Sequence, residues 1–145
     1  MVTSWAYFDT SVLVKRYVRE EGTSEARRLL KHYCILTSAI APTEAISAFS
    51  RRRTLGELTA PHFAEILRKL KSDRAYWELV EVSPLVLQEA DEVILKTDLR
   101  TLDALHLASI LTFQAVSGIQ LPIITGDIKQ RQSAEQLGLN TIWVG

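Results

Sequence analysis

Four acidic residues stand where a predicted strand gives way to a helix, or in the first turn of that helix. They are Asp9, Glu44, Asp103 and Asp127. Because the carboxyl ends of parallel strands meet at one edge of a sheet, we expect these side chains to lie close together. Two unit charges about 4 Å apart repel by about 4 kcal/mol at an effective dielectric constant of about 20. A hard cation would offset that repulsion, and oxygen ligands of this kind favour Mg²⁺ or Mn²⁺.

Each acid also has a purely structural explanation, because carboxylates are favoured near helix N-termini. Asp127 fits the N-cap of its helix, whereas Asp9 ends an apolar strand and is explained less well in this way. Hydroxyls next to three of the acids, from Thr10, Thr43 and Thr125, can hydrogen-bond carboxylates or metal-bound water. Helix N-termini pointing into the same cleft would attract a phosphate group. The whole pattern therefore favours phosphodiester hydrolysis.

The elements that must position these acids alternate between strands and helices. Short apolar strands are predicted at residues 6–8, 34–37, 79–82, 122–125 and 141–144. Helices are predicted between them, at residues 10–18, 24–32, 42–53, 59–70, 84–95, 101–111 and 128–137. We expect Thr10 or Ser11 to cap the first of these helices, Ser83 the fifth and Thr101 the sixth. Continuous apolar strands separated by helices indicate a parallel α/β sheet covered on both faces.

Composition bounds the class of protein. The 145 residues predict one domain, residues 1–145. The 17 basic (Lys and Arg) and 17 acidic residues cancel, so attraction to nucleic acid would have to come from local patches. Cys34 is the single cysteine, which excludes an internal disulfide and fits a reducing compartment. We expect neither a signal peptide nor an apolar run of about 20 residues that would span a membrane, and hence a cytoplasmic location.

Four short motifs carry a resemblance to a known family. They lie at residues 9–15, 42–44, 103–108 and 125–127, in the order and at the chain length typical of the PIN-domain family. Within that family the chain is most similar to the VapC-type toxins of toxin–antitoxin pairs. The resemblance implies a three-layer α/β/α fold with a five-stranded, mainly parallel sheet, and an endoribonuclease that uses Mg²⁺ or Mn²⁺. It also implies a homodimer that is inhibited by a small antitoxin protein.

The resemblance assigns roles to the acidic residues. Asp9, Glu44 and Asp103 would hold a cation directly or through water, and Asp127 would complete the cluster. All four are expected to be catalytic, with Thr10 and Thr125 in support. The cation would activate the water that attacks RNA, leaving a 5′-phosphate and a 3′-hydroxyl. His106 stands three residues after Asp103, and its leucine neighbours favour a core histidine over a metal ligand.

Basic residues follow two of the acids. Lys15 and Arg16 come less than two turns after Asp9 and are expected to flank the cleft. Arg51 and Arg52 lie in the last turn of the predicted helix whose first turn contains Glu44. There they either complement the helix dipole or contact RNA phosphates. By resemblance, the amphipathic helix at residues 59–70 and the helix before it form a groove for an antitoxin helix.

Two other functions compete with the nuclease. Phosphoryl transfer through an aspartyl-phosphate would require a second Asp two residues after Asp9, where Ser11 stands. A non-catalytic PIN-like module that only binds RNA or a protein is the main alternative. The intact set of four acids favours the enzyme, since a pure binding surface gains nothing from their mutual repulsion.

Overall fold

A computed structural model describes residues 4–145, so the predicted domain of residues 1–145 begins with three residues outside the described part. The strands are β1 Trp5–Phe8, β2 Cys34–Ser38, β3 Glu78–Val80, β4 Ile123–Thr125 and β5 Thr141–Trp143. The helices are α1 Thr10–Val14, α2 Thr23–His32, α3 Ala41–Thr54, α4 Ala60–Arg74, α5 Pro84–Thr97, α6 Thr101–Ser117 and α7 Ile128–Gln136. All the predicted elements are present, with shifted ends.

The strands form one sheet in the order β3-β2-β1-β4-β5. All four pairs of neighbouring strands are parallel, which confirms the predicted five-stranded parallel sheet. β1 lies in the centre, and its carboxyl end is flanked by those of β2 and β4. In sheets of this kind ligands bind beyond the carboxyl ends of the strands, close to where the strand order reverses.

Apolar cores cover both faces of the sheet, which confirms the three-layer arrangement. Because side chains alternate along a strand, Ala6 and Phe8 of β1 pack toward α1, α2, α3 and α4. Tyr7, between them, packs on the opposite face against residues of α5, α6 and α7. The run Ala104–Ile110 of α6 is buried throughout, as its apolar sequence predicts. Within residues 4–145, no helix combines the length and apolar character required to cross a membrane.

The predicted helix caps are only partly correct. Ser83 caps α5, with its hydroxyl accepting the Val86 N–H at 3.2 Å. α6 begins after Arg100, which has extended backbone, so the prediction that Thr101 is its cap is wrong. The prediction for α1 is also wrong, because Asp9 occupies the N-cap position. The hydroxyls of Thr10 and Ser11, which were expected to cap it, donate to carboxylates instead.

The first helix is shorter than predicted. α1 ends at Val14, and the following residues up to Tyr17 form tight turns with hydrogen bonds three residues back, such as Lys15 N–H to Val12 C=O at 3.1 Å. The apolar side chains of this segment are nevertheless buried, so the predicted packing face is retained.

Candidate active site

The four acids meet at the carboxyl edge of the sheet. Asp9 follows β1 directly and Asp127 lies two residues after β4, while Glu44 and Asp103 occupy the first turns of α3 and α6. All four line one cavity of about 700 Å³. The topology thus brings together the residues that the sequence analysis singled out.

Hydroxyl groups hold the Asp9 carboxylate in place. Its Oδ2 accepts hydrogen bonds from Ser11 Oγ at 2.8 Å and from Thr125 Oγ1 at 2.9 Å. Ser11 Oγ in turn accepts the Gly126 N–H at 3.0 Å, which links the start of α1 to the end of β4. Thr125 therefore lies where a supporting residue was predicted. Ser11 was missed in that role because its position in the sequence fits a helix cap equally well.

The Glu44 carboxylate is also held by two donors. Its Oε1 accepts from Thr10 Oγ1 at 2.7 Å and from His106 Nε2 at 2.6 Å. Burial alone would raise the pKa of Glu44, but the hydrogen bond and the charge of His106 outweigh burial and lower it. Glu44 is therefore held as a carboxylate, and the hydrogen bond from Thr10 is consistent with the supporting role expected of that residue.

His106 lies beneath the cavity and is 1% exposed. Its Nδ1 is 2.8 Å from the Tyr7 hydroxyl, and its Nε2 is 3.7 Å from Asp9 Oδ1 in addition to the bond with Glu44. Burial would lower the pKa of His106, but the Glu44 hydrogen bond and the charges of Asp9, Glu44 and Asp103 raise it overall. Both ring nitrogens have protein partners, which confirms the predicted core histidine.

Asp103 and Asp127 complete the acidic wall of the cavity. Burial raises the pKa of Asp103, and repulsion from Asp9 and Asp127 raises it further, so these carboxylates sense one another. Asp127 Oδ1 accepts the Gln130 N–H at 3.0 Å, so this acid is the N-cap of α7 as well as a cavity residue. The buried Gln130 amide donates to the Asp103 carbonyl at 3.0 Å and ties α7 to α6. No sequence motif pointed to Gln130.

Asp103→Asn is expected to raise the stability of the metal-free protein. The substitution removes a half-buried charge that its acidic neighbours repel, and because solvent screens part of that repulsion, a gain of at most about 1 kcal/mol is expected in EDTA at neutral pH. Thermal melting would measure it, with Asp91→Asn on the exposed face of α5 as the matched control. An Asp103→Asn protein that melts below wild type under these conditions would contradict the repulsion.

The predicted RNA-contacting residues separate into two groups. Lys15, Arg51 and Arg52 line the same cavity as the acids. Arg16 does not, because its Nε donates to Asp73 Oδ2 at 3.0 Å on another part of the surface. The expectation that Arg16 flanks the acidic cleft is therefore wrong, since it and Lys15 leave the backbone in different directions.

An acidic residue organises the basic side of the cavity. Lys15 Nζ donates to Glu20 Oε1 at 3.0 Å and to the Glu21 carbonyl at 2.8 Å. The second oxygen of Glu20 pairs with Arg52 Nη2. The other terminal nitrogen of Arg52, Nη1, lies 3.5 Å from Glu57 Oε2. Carboxylate partners thus hold Lys15 and Arg52 in the cavity that the four acids also line.

The donor set fits a hard divalent cation. Four carboxylates on one cavity provide oxygen ligands, which suit Mg²⁺ or Mn²⁺ better than softer metals. Among residues 4–145, no three side chains of His, Cys, Asp or Glu already converge on a common metal position. Direct coordination by three or more of these acids therefore requires rotation of their side chains, whereas coordination through water requires less.

Comparisons with known proteins match most of the chain. A family model described as PIN domain matches residues 6–136. Ribonuclease VapC46 of Mycobacterium tuberculosis (strain ATCC 25618 / H37Rv) is 33% identical over 139 residues, covering 94% of this chain and 95% of that protein.

Two solved structures share the fold. The VapBC2 structure from Rickettsia felis, bound to a promoter DNA fragment, matches with a TM-score of 0.67 at 14% identity, over 97% of this chain and 98% of that one. VapBC-5 from Mycobacterium tuberculosis is a member of the VapBC family of toxin–antitoxin systems. It matches with a TM-score of 0.60 at 16% identity, over 97% of this chain and 98% of that one. At such identities these likenesses support the fold alone.

Proposed function

The chain belongs to the PIN-domain family, and from this premise we propose that it is a metal-dependent endoribonuclease, the toxin of a toxin–antitoxin pair. The observation that carries the proposal is the single cavity shared by Asp9, Glu44, Asp103 and Asp127. The relative that aligns with 94% of this chain is named a ribonuclease, which supports RNA as the substrate.

The four acids have distinct parts in the proposed mechanism. Asp9, Glu44 and Asp103 would hold Mg²⁺ or Mn²⁺ directly or through water, and Asp127 would complete the site. When bound, the cation would supply a nucleophilic water at neutral pH and stabilise charge on the phosphate oxygens. Asp9 Oδ1 and Glu44 Oε1 both lie near His106 Nε2, at 3.7 and 2.6 Å, so these two carboxylates already converge. Cleavage is expected to leave a 5′-phosphate and a 3′-hydroxyl.

The basic side of the cavity is proposed to position the RNA backbone. Lys15, Arg51 and Arg52 face the same space as the acids, so a phosphodiester could contact cations on one side and the metal site on the other. Glu20 keeps Lys15 and Arg52 in this arrangement through its two carboxylate oxygens. Because the chain has zero net charge, RNA attraction must come from local groups, and we propose that these three cations contribute to it.

A protein partner is proposed to bind between α3 and α4. A groove of about 550 Å³ there has an apolar lining that includes Ile46, Leu67 and Leu70. Lys71 and Arg74 stand at the same groove, so it fits an amphipathic antitoxin helix that carries acidic residues beside its apolar face. VapBC-5, which shares the fold, is described as a member of the VapBC family of toxin–antitoxin systems.

A homodimer that acts in the cytoplasm is part of the same proposal. Large apolar side chains stand exposed on α5, at Leu85, Leu87 and Leu95, where a second copy would cover them. Light scattering of the purified protein should therefore give twice the mass of the 16.3 kDa chain. A monomer at micromolar concentration would contradict this element of the proposal.

Incubation with RNA tests the proposed activity. The purified protein is expected to cut an end-labelled single-stranded RNA at internal positions with Mn²⁺, and EDTA is expected to stop the reaction by removing the cation. Asp91→Asn, outside the cavity, should cleave like wild type. RNA that stays intact although the protein binds both Mn²⁺ and RNA would overturn the enzyme and favour the non-catalytic binding module.

A further inference from the structure

A buried chain of hydrogen bonds runs from the core of the protein to Glu44. The Tyr7 hydroxyl lies 2.8 Å from His106 Nδ1, and His106 Nε2 lies 2.6 Å from Glu44 Oε1. Tyr7 is 0% exposed and His106 1% exposed. The mechanism described above uses neither side chain, although together they reach the carboxylate from the side opposite the solvent.

The direction of these hydrogen bonds follows from Thr10. Its hydroxyl has one proton and donates it to Glu44 Oε1 at 2.7 Å, so in the 3.0 Å contact between Thr10 Oγ1 and His106 Nε2 the imidazole is the donor. Nε2 therefore carries a proton, which is shared between Glu44 Oε1 at 2.6 Å and Thr10 Oγ1 at 3.0 Å, with the shorter contact to Glu44. The Tyr7 hydroxyl can donate or accept, so it satisfies Nδ1 whether or not that nitrogen is protonated.

The pair connects the elements that carry three of the acids. Tyr7 lies on β1 two residues before Asp9, which directly follows that strand, and His106 lies one turn after Asp103 on α6. Glu44 comes from α3 and has the longer, more adaptable side chain. The Tyr7 ring packs edge-on against the imidazole, with 5.8 Å between centroids, so the donor that reaches Glu44 is itself held by the core.

We propose that Tyr7 and His106 are positioning residues, which fix the Glu44 carboxylate for the divalent cation by presenting a rigid hydrogen-bond donor from the core. This inference rests on the proposed function, since it concerns the cation site of that function. Partners that orient ligating groups in this way typically account for a 10- to 100-fold difference in metal affinity. A purely structural pair would contribute to stability and leave metal affinity unchanged.

Calorimetric titration with Mn²⁺ alone tests the proposal. The Tyr7→Phe/His106→Leu double variant removes both partners and so leaves no orphaned buried donor. It is expected to bind Mn²⁺ about 10- to 100-fold more weakly than wild type. His106→Gln retains an N–H that can reach Glu44 and should recover affinity toward wild type. His62→Gln, on the exposed face of α4, is the matched control and should bind normally.

The outcomes separate this inference from the proposed nuclease. A double variant that binds Mn²⁺ as tightly as wild type would overturn the positioning role, even if it melts at a lower temperature. A His106→Gln protein as weak as the double variant would also contradict it. If the double variant does not fold, the Mn²⁺ affinity of the Tyr7→Phe single variant is measured instead, and an unchanged affinity would overturn the positioning role.

The wild-type protein separates the two proposals. If it binds Mn²⁺ but leaves RNA intact, the proposed nuclease activity is excluded and the positioning role at the metal site stands. If it binds no Mn²⁺, both proposals are excluded.

Discussion

Replacing Asp9 with Asn is expected to abolish RNA cleavage while the fold persists. Asp9 is 4% exposed and directly follows the central strand, and its Oδ2 accepts hydrogen bonds from Ser11 and Thr125. An Asn side chain has the same size, and its amide oxygen can still accept both hydroxyl protons. What it loses is the charge that would hold the cation. Mutation of a residue that only supports a metal ligand typically lowers metal affinity or activity by about 10- to 100-fold. We therefore expect loss of the ligand itself to lower the cleavage rate by more than about 100-fold.

Single-turnover cleavage with saturating Mn²⁺ would measure this effect. Circular dichroism and melting of the same preparation would show that the Asp9→Asn protein is folded. Asp91→Asn removes one negative charge from α5 outside the cavity and should cleave at the wild-type rate. Full activity in purified Asp9→Asn would exclude the proposed catalytic cluster.

Divalent cations are expected to raise the melting temperature of the protein substantially. A ligand that binds only the native state, at about 100 times its Kd, stabilises it by about 2.7 kcal/mol. For a chain of this length that corresponds to roughly 5–10 °C. The gain should be larger than that from any single substitution, since the cation also relieves the repulsion that raises the pKa of Asp103. Melting with Mn²⁺, and then with EDTA in excess, would measure the rise and its reversal.

Two controls identify the site responsible for this stabilisation. Salt alone screens the repulsion between carboxylates, so NaCl at matched ionic strength is needed as the reference. The Asp9→Asn/Asp103→Asn double variant should start from a higher melting temperature in EDTA and gain little from Mn²⁺. An equal Mn²⁺ response in wild type and this double variant would place the cation elsewhere.

The sequence predicted the fold because its local patterns agree with the tertiary structure. Apolar strands such as residues 122–125 have the same character in isolation as in the sheet, and Ser83 caps its helix as its position implies. Thr10 and Ser11 were predicted wrongly as caps, because a hydroxyl after a strand looks the same in the sequence whether it binds a backbone N–H or a carboxylate. The carboxylate is the nearby Asp9 for Ser11 and the distant Glu44 for Thr10. For Thr10, only the tertiary contact with Glu44 distinguishes the carboxylate partner from a backbone N–H.

The cavity residues outside the acidic set show a second limit of sequence reasoning. Lys15 and Arg16 are neighbours in the chain, yet one faces the acids and the other pairs with Asp73. Successive side chains around a turn point about 100° apart, and the short first helix decides which one faces the cavity. Glu20 and Gln130 belong to no motif, so their roles depend on contacts between elements that no local pattern encodes.

The measurement that tests the central claim most directly is anomalous diffraction from crystals soaked in Mn²⁺. The account predicts a peak in the cavity, at about 2.0–2.6 Å from carboxylate oxygens of the set Asp9, Glu44, Asp103 and Asp127 or bridged to them by water. It also predicts that Glu44 keeps its contact with His106 in that state. Crystals with Mn²⁺ bound only at other surfaces, and with these four side chains unengaged, would contradict the account.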